Sequence, residues 1–229
     1  MPPHSRANYF CGVLFDDLLA VSDTEPHAAA LNMAIDEILL RTATRPTLRI
    51  YRWARPATSF GYFGKWQDAL AAGPERDLVR RWTGGGIVFH GRDLTFSLIV
   101  PRAHPFCANS PRESYRAIHE CLAKAIEGAT LASAALPQTS AACFQNPVQH
   151  DILIAGRKVA GGAQRRKKSG LLHQGSVQEI ESPAALTAAL LQVFSNSRET
   201  VPLSGETATQ AAILAREKYA TEGWMRRLP

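Results

Sequence analysis

Between residues 28 and 41 apolar side chains recur three and four positions apart. Leu31, Ile35, Ile38 and Leu39 fall on one face of AAALNMAIDEILLR, which predicts a helix packed on a sheet; Asn32 and Asp36 lie one turn apart on a neighbouring face. After Pro46 the pattern becomes extended. LRIYRW and TSFGYF are rich in β-branched and aromatic residues and are bounded by Pro46, Pro56 and Gly64, so two adjacent strands are expected. DLVRRW, IVFH and LTFSLIV read as further strands, the last one buried. Helical period returns over 112–127, with Tyr115, Ile118, Leu122 and Ile126 on one face, Ser110 and Pro111 as a start and Gly128 as a stop. ATLASAALPQTSAA has little pattern and is read as a loop leading to Cys143. DILIAGRKVAGGAQ reads as a hairpin turning at Ala155 and Gly156, and GLLHQGSV as another strand. Ser182 and Pro183 open a helix with Leu186, Leu190 and Phe194 as its apolar stripe, and a last helix is expected over about 206–220, ending near Trp224.

Helix, strands, helix, strands, helices is the order of an α+β domain with one mixed, mostly antiparallel sheet covered by helices, not of repeated βαβ units. The 229 residues suit a single domain over 1–229. No apolar run reaches the roughly 18 to 20 residues that span a bilayer, and Asp16 and Asp17 break the apolar patch near the N-terminus, so a cytoplasmic protein without a leader is expected. The four cysteines form no CxxC pair and no Cys/His spacing that would hold a metal, so neither a disulfide framework nor a metal site is expected. Lys plus Arg outnumber Asp plus Glu by 26 to 20, an excess that favours an acidic partner. No stripe of interleaved aromatic and basic residues marks nucleic-acid binding.

Two stretches concentrate chemistry. RRWTGGGIVFH places Thr83, Gly84, Gly85 and Gly86 where backbone N–H groups could crowd around an anionic or carbonyl-bearing ligand, or simply make a tight turn. The triplet fits neither GxxxxGK(S/T) nor GxGxxG. In GRKVAGGAQRR, Lys158 could be a surface lysine or, beside Gly161 and Gly162, could meet a ligand carbonyl or favour the thiolate of a nearby cysteine. Cys143 alone sits in a small-residue loop before this hairpin; it is either an inert buried thiol or a nucleophile activated by Lys158. His90 and His173 follow apolar strand residues and are either ligand-facing or structural. Arg165 to Lys168 reads as a solvated hairpin end that could dock an acidic partner.

Together these stretches resemble the catalytic domain shared by lipoate–protein ligases, octanoyltransferases and biotin–protein ligases. RRWTGGGIVFH is similar to the family's RR-x-S/T-G-G-G-x-V-x-H. GRKVAGGAQRR is similar to G-K/R-K-I/V-x-G-S/N/G-A-Q, with Lys158 at the family's invariant lysine, and NMAIDE (32–37) matches an early helix. SAACFQNPVQHD resembles the Cys-Phe stretch of thiol-dependent octanoyltransferases, and LTFS their LTYS-type strand. NPVQHD and HQGS depart from their Pro-Ser-x-Tyr-Glu and Gln-His-Gly-Ser, and the full glycine triplet is the ligase-like form.

The resemblance implies the biotin/lipoate ligase fold, without an appended C-terminal domain. It implies Cys143 and Lys158 as catalytic residues, with Arg81, Thr83, Gly84, Gly85, Gly86, His90, Gly161, Gly162, Gln164 and His173 binding substrate. It further implies transfer of an octanoyl group from acyl carrier protein through Cys143 to a lysine of a lipoyl domain, such as the glycine cleavage H protein or the E2 subunits of 2-oxo acid dehydrogenases, with no cofactor. The alternative it leaves is an ATP- and Mg-dependent ligase that forms lipoyl-AMP. From another class, a non-catalytic binder of acidic proteins would also satisfy the charge.

Overall fold

The computed structural model describes residues 12–135, 147–179 and 181–227. Its strands are β1 (Leu18–Ser22), β2 (Thr47–Tyr51), β3 (Ala57–Phe60), β4 (Asp77–Arg80), β5 (Val88–His90), β6 (Leu94–Pro101), β7 (Thr130–Leu131), β8 (Ile152–Ile154), β9 (Arg157–Lys167), β10 (Gly170–Val177) and β11 (Arg198–Pro202). The helices are α1 (Ala29–Thr42), α2 (Trp66–Ala72), α3 (Pro111–Lys124), α4 (Pro183–Phe194), α5 (Gly205–Leu214) and α6 (Glu222–Met225).

Eight strands form a mixed sheet in the order β11-β1-β2-β6-β10-β9-β8-β7. β1 runs parallel to β2 and β11, while every other pairing is antiparallel. Every residue of β6 and β10 is buried, because helices cover both faces of these central strands. Alternation divides the side chains cleanly. Leu98 and Leu171 point into a core shared with Ile118 and Leu122 of α3 and Leu186, Leu190 and Phe194 of α4. Ile99 and Leu172 point into the opposite core, with Met33, Ile35 and Leu39 of α1 and Ala211 of α5.

The α+β class and the mostly antiparallel large sheet agree with the sequence pattern, but a single sheet does not. β3 pairs with β4 and β5 in a separate three-stranded sheet, so β2 and β3 are neighbours in sequence and not in space. The chain leaves the large sheet after Tyr51, where Arg52 O accepts from the His27 N–H and the Asn32 amide, and Ala54 N–H donates to His27 O. β1, α2 and β11 carried too little pattern to be read: β1 is five residues beside two aspartates, α2 is seven, and β11 is an exposed edge strand.

α3 begins as expected, with a capping box in which Ser110 and Glu113 satisfy each other's N–H groups and Pro111 opens the first turn. It ends at Lys124, four residues before Gly128. The last helix is also interrupted: after α5 the chain widens into a π turn over Ala215–Tyr219 before α6. That turn lets both Lys218 Nζ and Tyr219 OH donate to the buried Glu37 carboxylate. Among the described residues no helix is long and apolar enough to cross a membrane.

Helix α1 is buried around its circumference from Asn32 to Leu40, so its polar residues must find partners inside. Arg49 of β2 supplies them. Its side chain is wholly buried and pairs with Asp23 Oδ2 at 2.7 Å and Asp36 Oδ1 at 2.7 Å, and it donates to Asn32 Oδ1 at 2.6 Å. Removing one partner of such a buried pair strands the other charge, at a cost of about 3–5 kcal/mol. Arg49→Ala is therefore expected to lower unfolding free energy by that amount in urea denaturation, and loss of under ~1 kcal/mol would contradict the role given to it.

Candidate active site

The β8–β9 hairpin positions the lysine motif. Ala155 (φ 48°) and Gly156 (φ 78°) both adopt positive φ, as a two-residue hairpin turn requires. A register shift between Ile152 and Leu153 precedes the turn. Lys158 is not on the surface: its side chain is 1% exposed, and Nζ pairs with Asp151 Oδ2 at 2.7 Å. The Asp151 carboxylate also accepts from Tyr115 OH at 2.6 Å and from Val148 N–H at 2.7 Å. Tyr115 OH in turn accepts from Gly162 N–H at 3.2 Å. A charge-assisted cluster thus joins α3 to the hairpin. Tyr115 was legible only as an apolar-face residue and Asp151 only as a charge before a strand.

Glycine is required beside this cluster. A Cβ on Gly161 would lie 2.6 Å from Lys158 Cε and 2.8 Å from Nζ, and one on Gly162 would collide with His173 Nε2. The missing side chain at Gly161 therefore leaves the room that the Lys158 ammonium takes, on the face of the sheet that Ser176 of β10 shares.

Two histidines at α3 are held neutral. Burial lowers His119 to about 4; its Nδ1–H donates to His150 O at 2.8 Å. Burial, with His119 nearby, sets His173 well below the usual histidine range. Gln164 Nε2 lies 3.3 Å from His173 Nδ1, while Gln164 Oε1 accepts from Ser114 Oγ and Ser114 Oγ accepts from Arg166 Nη2. Arg166 is thus tied into the fold and also donates to Cys107 O, and Arg165 stacks over Tyr62 at 4.5 Å. The hairpin end at Arg165 to Lys168 is therefore not simply solvated, because both arginines are half-buried against aromatic and polar neighbours.

Across the sheet, Arg81 gathers the glycine loop: Nη2 donates to Gly84 O at 2.9 Å and Gly86 O at 2.8 Å. Gly85 takes φ +87°, and Gly61 packs so closely on Gly84 and Gly85 carbonyls that any side chain there would clash. Thr83 Oγ1 donates to Gln174 Oε1 at 2.7 Å, and Gln174 Nε2 to Asp36 Oδ2 at 2.7 Å. His90, wholly buried, has Nε2 at 2.6 Å from Ser59 Oγ and Nδ1 at 2.7 Å from Asp93 Oδ2. Burial is the main cause of its lowered pKa, with Arg81 and Arg76 adding and Asp93 opposing. Burial pushes the Asp93 carboxyl up, but His90, the Ser176 hydroxyl and Gly91 N–H outweigh it and hold it at about 2.

These elements enclose an apolar cleft walled by Met33, Tyr51, Trp53 and Val88. Of the residues the sequence motifs singled out, Arg81, Gly85, His90, Gly161 and Gly162 line it. Thr83, Gly84 and Gly86 shape the loop behind it, and the Lys158 ammonium packs against Gly161. Gln164 and His173 contact α3 on the other side of the sheet. Ser59 and Trp53 also line the cleft, and Asp93 is bonded to His90 behind it; none of the three carried a motif signal. Cys143 lies outside the described residues. Cys107 and Cys121 are buried, and burial pushes both thiols up, which fits inert core cysteines.

This arrangement, a lysine hairpin facing a glycine loop across an apolar cleft, has clear relatives. The family model of the lipoyl protein ligase A/B catalytic domain matches residues 28–203, and the chain belongs to that family. It is 37% identical over 182 residues to a protein of Kyrpidia tusciae named octanoyltransferase LipM, covering 71% of this chain and 66% of that one. It is 35% identical over 171 residues to octanoyltransferase LipM of Staphylococcus aureus, covering 66% and 62%. The aligned stretch thus spans less than two thirds of the length of these curated relatives. The fold matches a crystal structure of lipoate-protein ligase A bound with ATP at a TM-score of 0.72, with 20% identity over 94% of this chain and 100% of that one. It also matches a bipartite lipoate protein ligase of Thermoplasma acidophilum at a TM-score of 0.68, with 20% identity over 93% and 98%.

Two outcomes follow from this geometry. Gly161→Ala should displace Lys158 from Asp151, so activity is expected to fall by ~10²-fold with a shift in melting temperature of only a few degrees; full activity would separate Lys158 from the chemistry. Because burial lowers His119 to about 4 from 6.5, the unfolded chain binds more protons between those values. Stability should therefore fall as pH drops from 6.5 to 4, by up to ~3 kcal/mol from this group. His119→Gln should flatten that slope in urea unfolding curves taken at pH 7 and pH 4.5.

Proposed function

We propose that this protein is an acyltransferase of protein lipoylation, moving an octanoyl group from a carrier-protein thioester through Cys143 to a lysine of a lipoyl domain. The observation that carries the reading is Lys158, buried against Asp151 one glycine away from an apolar cleft, in a chain about 35–37% identical to proteins named octanoyltransferase. The cleft takes the acyl chain between Met33, Tyr51, Trp53 and Val88, whose burial of methylene groups contributes about 0.8 kcal/mol each.

In this mechanism the Cys143 thiolate attacks the thioester carbonyl, the carrier's thiolate leaves, and an acyl-cysteine remains. The neutral amine of the acceptor lysine then attacks, an amide forms as the nitrogen gives a proton to the departing sulfur, and the Cys143 thiol is regenerated. Lys158 supplies the positive charge that favours the thiolate and offsets charge on the carbonyl oxygen, with Asp151 and Tyr115 fixing its position. Thioester exchange is near balance and amide formation is downhill, so the transfer needs no nucleotide. The basic surface of the chain suits acidic donor and acceptor proteins, and the reaction is a cytoplasmic one.

Intact-protein mass spectrometry after mixing with octanoyl–acyl carrier protein, without ATP, tests this. Wild type should gain one octanoyl group and Cys143→Ser none. Modification of a lipoyl domain only when lipoate and ATP are supplied, with full activity in Cys143→Ser, would overturn it in favour of an ATP-dependent ligase.

A further inference from the structure

Ser59, His90 and Asp93 stand outside the lysine–cysteine chemistry, yet their connectivity is that of a nucleophile, a base and an orienting carboxylate. Ser59 Oγ lies 2.6 Å from His90 Nε2, and His90 Nδ1 lies 2.7 Å from Asp93 Oδ2. The Asp93 side chain is fully buried and locked by Thr95 Oγ1 at 2.8 Å, Ser176 Oγ at 2.7 Å and Gly91 N–H at 3.0 Å. Trp53 stacks on the imidazole, with ring centroids 4.1 Å apart and planes 18° from parallel, which fixes its orientation. With Asp93 ionised, Nδ1 carries the imidazole proton and Nε2 presents its lone pair to the Ser59 hydroxyl. Arg81 Nη1 lies 2.7 Å from Ser59 Oγ, so a cation stands beside the atom that would attack. Ser59, Arg81 and His90 all line the apolar cleft, and Trp53 forms part of its wall.

We propose that Ser59, His90 and Asp93 form a second nucleophilic centre that hydrolyses acyl esters whose apolar chain enters the cleft. Ser59 Oγ attacks the ester carbonyl as its proton passes to His90 Nε2, and Asp93 stabilises the imidazolium. Arg81 offsets the charge on the carbonyl oxygen. The C–O bond to the alcohol breaks, and the leaving oxygen takes the proton from His90. Water then attacks the acyl-serine, giving its proton to His90; the carboxylic acid departs and Ser59 recovers its hydrogen. The proposal rests on the preceding functional reading only in taking the cleft to admit an acyl chain.

The test treats the full chain, in wild-type and Cys143→Ser form, with an alkyl fluorophosphonate and locates the adduct by peptide mass spectrometry. Turnover of p-nitrophenyl octanoate is followed in parallel. The expected result is one phosphonate on Ser59 in both forms, with ester hydrolysis that stops on labelling and falls ~10²-fold or more in His90→Gln. No adduct on Ser59, or hydrolysis that persists after Ser59 is labelled, overturns the proposal and leaves the trio as a clasp for the glycine loop. Labelling needs no substitution, so it decides the matter even if His90→Gln fails to fold. The carrier-thioester adduct on Cys143 is read separately. Its absence beside a labelled Ser59 would sink only the transferase reading, and its presence without that label would sink only the relay.

Discussion

A guanidinium with no access to water holds this fold in register. Arg49 projects from the large sheet into the space under α1, where it faces Asp23, Asn32 and Asp36. Asp36 then passes the constraint on, accepting from Ser97 of β6 and from Gln174 of β10, while Gln174 receives the Thr83 hydroxyl. One chain of hydrogen bonds therefore runs from the first helix through two central strands to the glycine loop. Buried ion pairs add little net stability over apolar replacements. Their consequence here is geometric, because every donor and acceptor in the chain has one satisfied arrangement, and the loop that borders the cleft is fixed by it.

The lysine cluster and the cleft meet at β9. Lys158, Asp151 and Tyr115 form one buried, charge-assisted cluster, while Arg81, Ser59 and His90 line the cleft together with Gly161 and Gly162. The absence of a side chain at Gly161 leaves the room that the Lys158 ammonium takes. The neighbouring imidazoles of His90, His119 and His173 are all lowered by burial, so they add no positive charge beside Lys158 and Arg81. A negative charge developing near Gly161 would meet fixed cations in a medium of low dielectric, where such interactions are strongest.

Membership of the lipoyl protein ligase A/B catalytic domain family accounts for the two motifs and for the α+β frame. It does not by itself explain the arrangement around them. The same Arg81 that carries the glycine motif binds two carbonyls of the loop and the Ser59 hydroxyl. The same strand that carries Lys158 continues to Arg165 and Arg166, which pack on Tyr62 and Ser114.

What the sequence determined by itself was whatever depends on local period and local backbone rules. The α4 stripe, the buried run of β6, the Ala155–Gly156 turn and the Ser110 cap are consequences of neighbours a few residues apart, and each stands where the pattern placed it, whereas α1 is buried all round and α3 stops before Ile126. The glycine triplet and the lysine hairpin were legible for the same reason, as were Gly161 and Gly162 beside Lys158. Tertiary structure decided the rest. The second sheet, the burial of Lys158 on Asp151 and the relay of Ser59 and Asp93 about His90 all join residues far apart in the chain or carry no local signature. Charge and hydroxyl groups have no period to read, and only the packing of β3, β5 and β9 against the central strands says which of them meet.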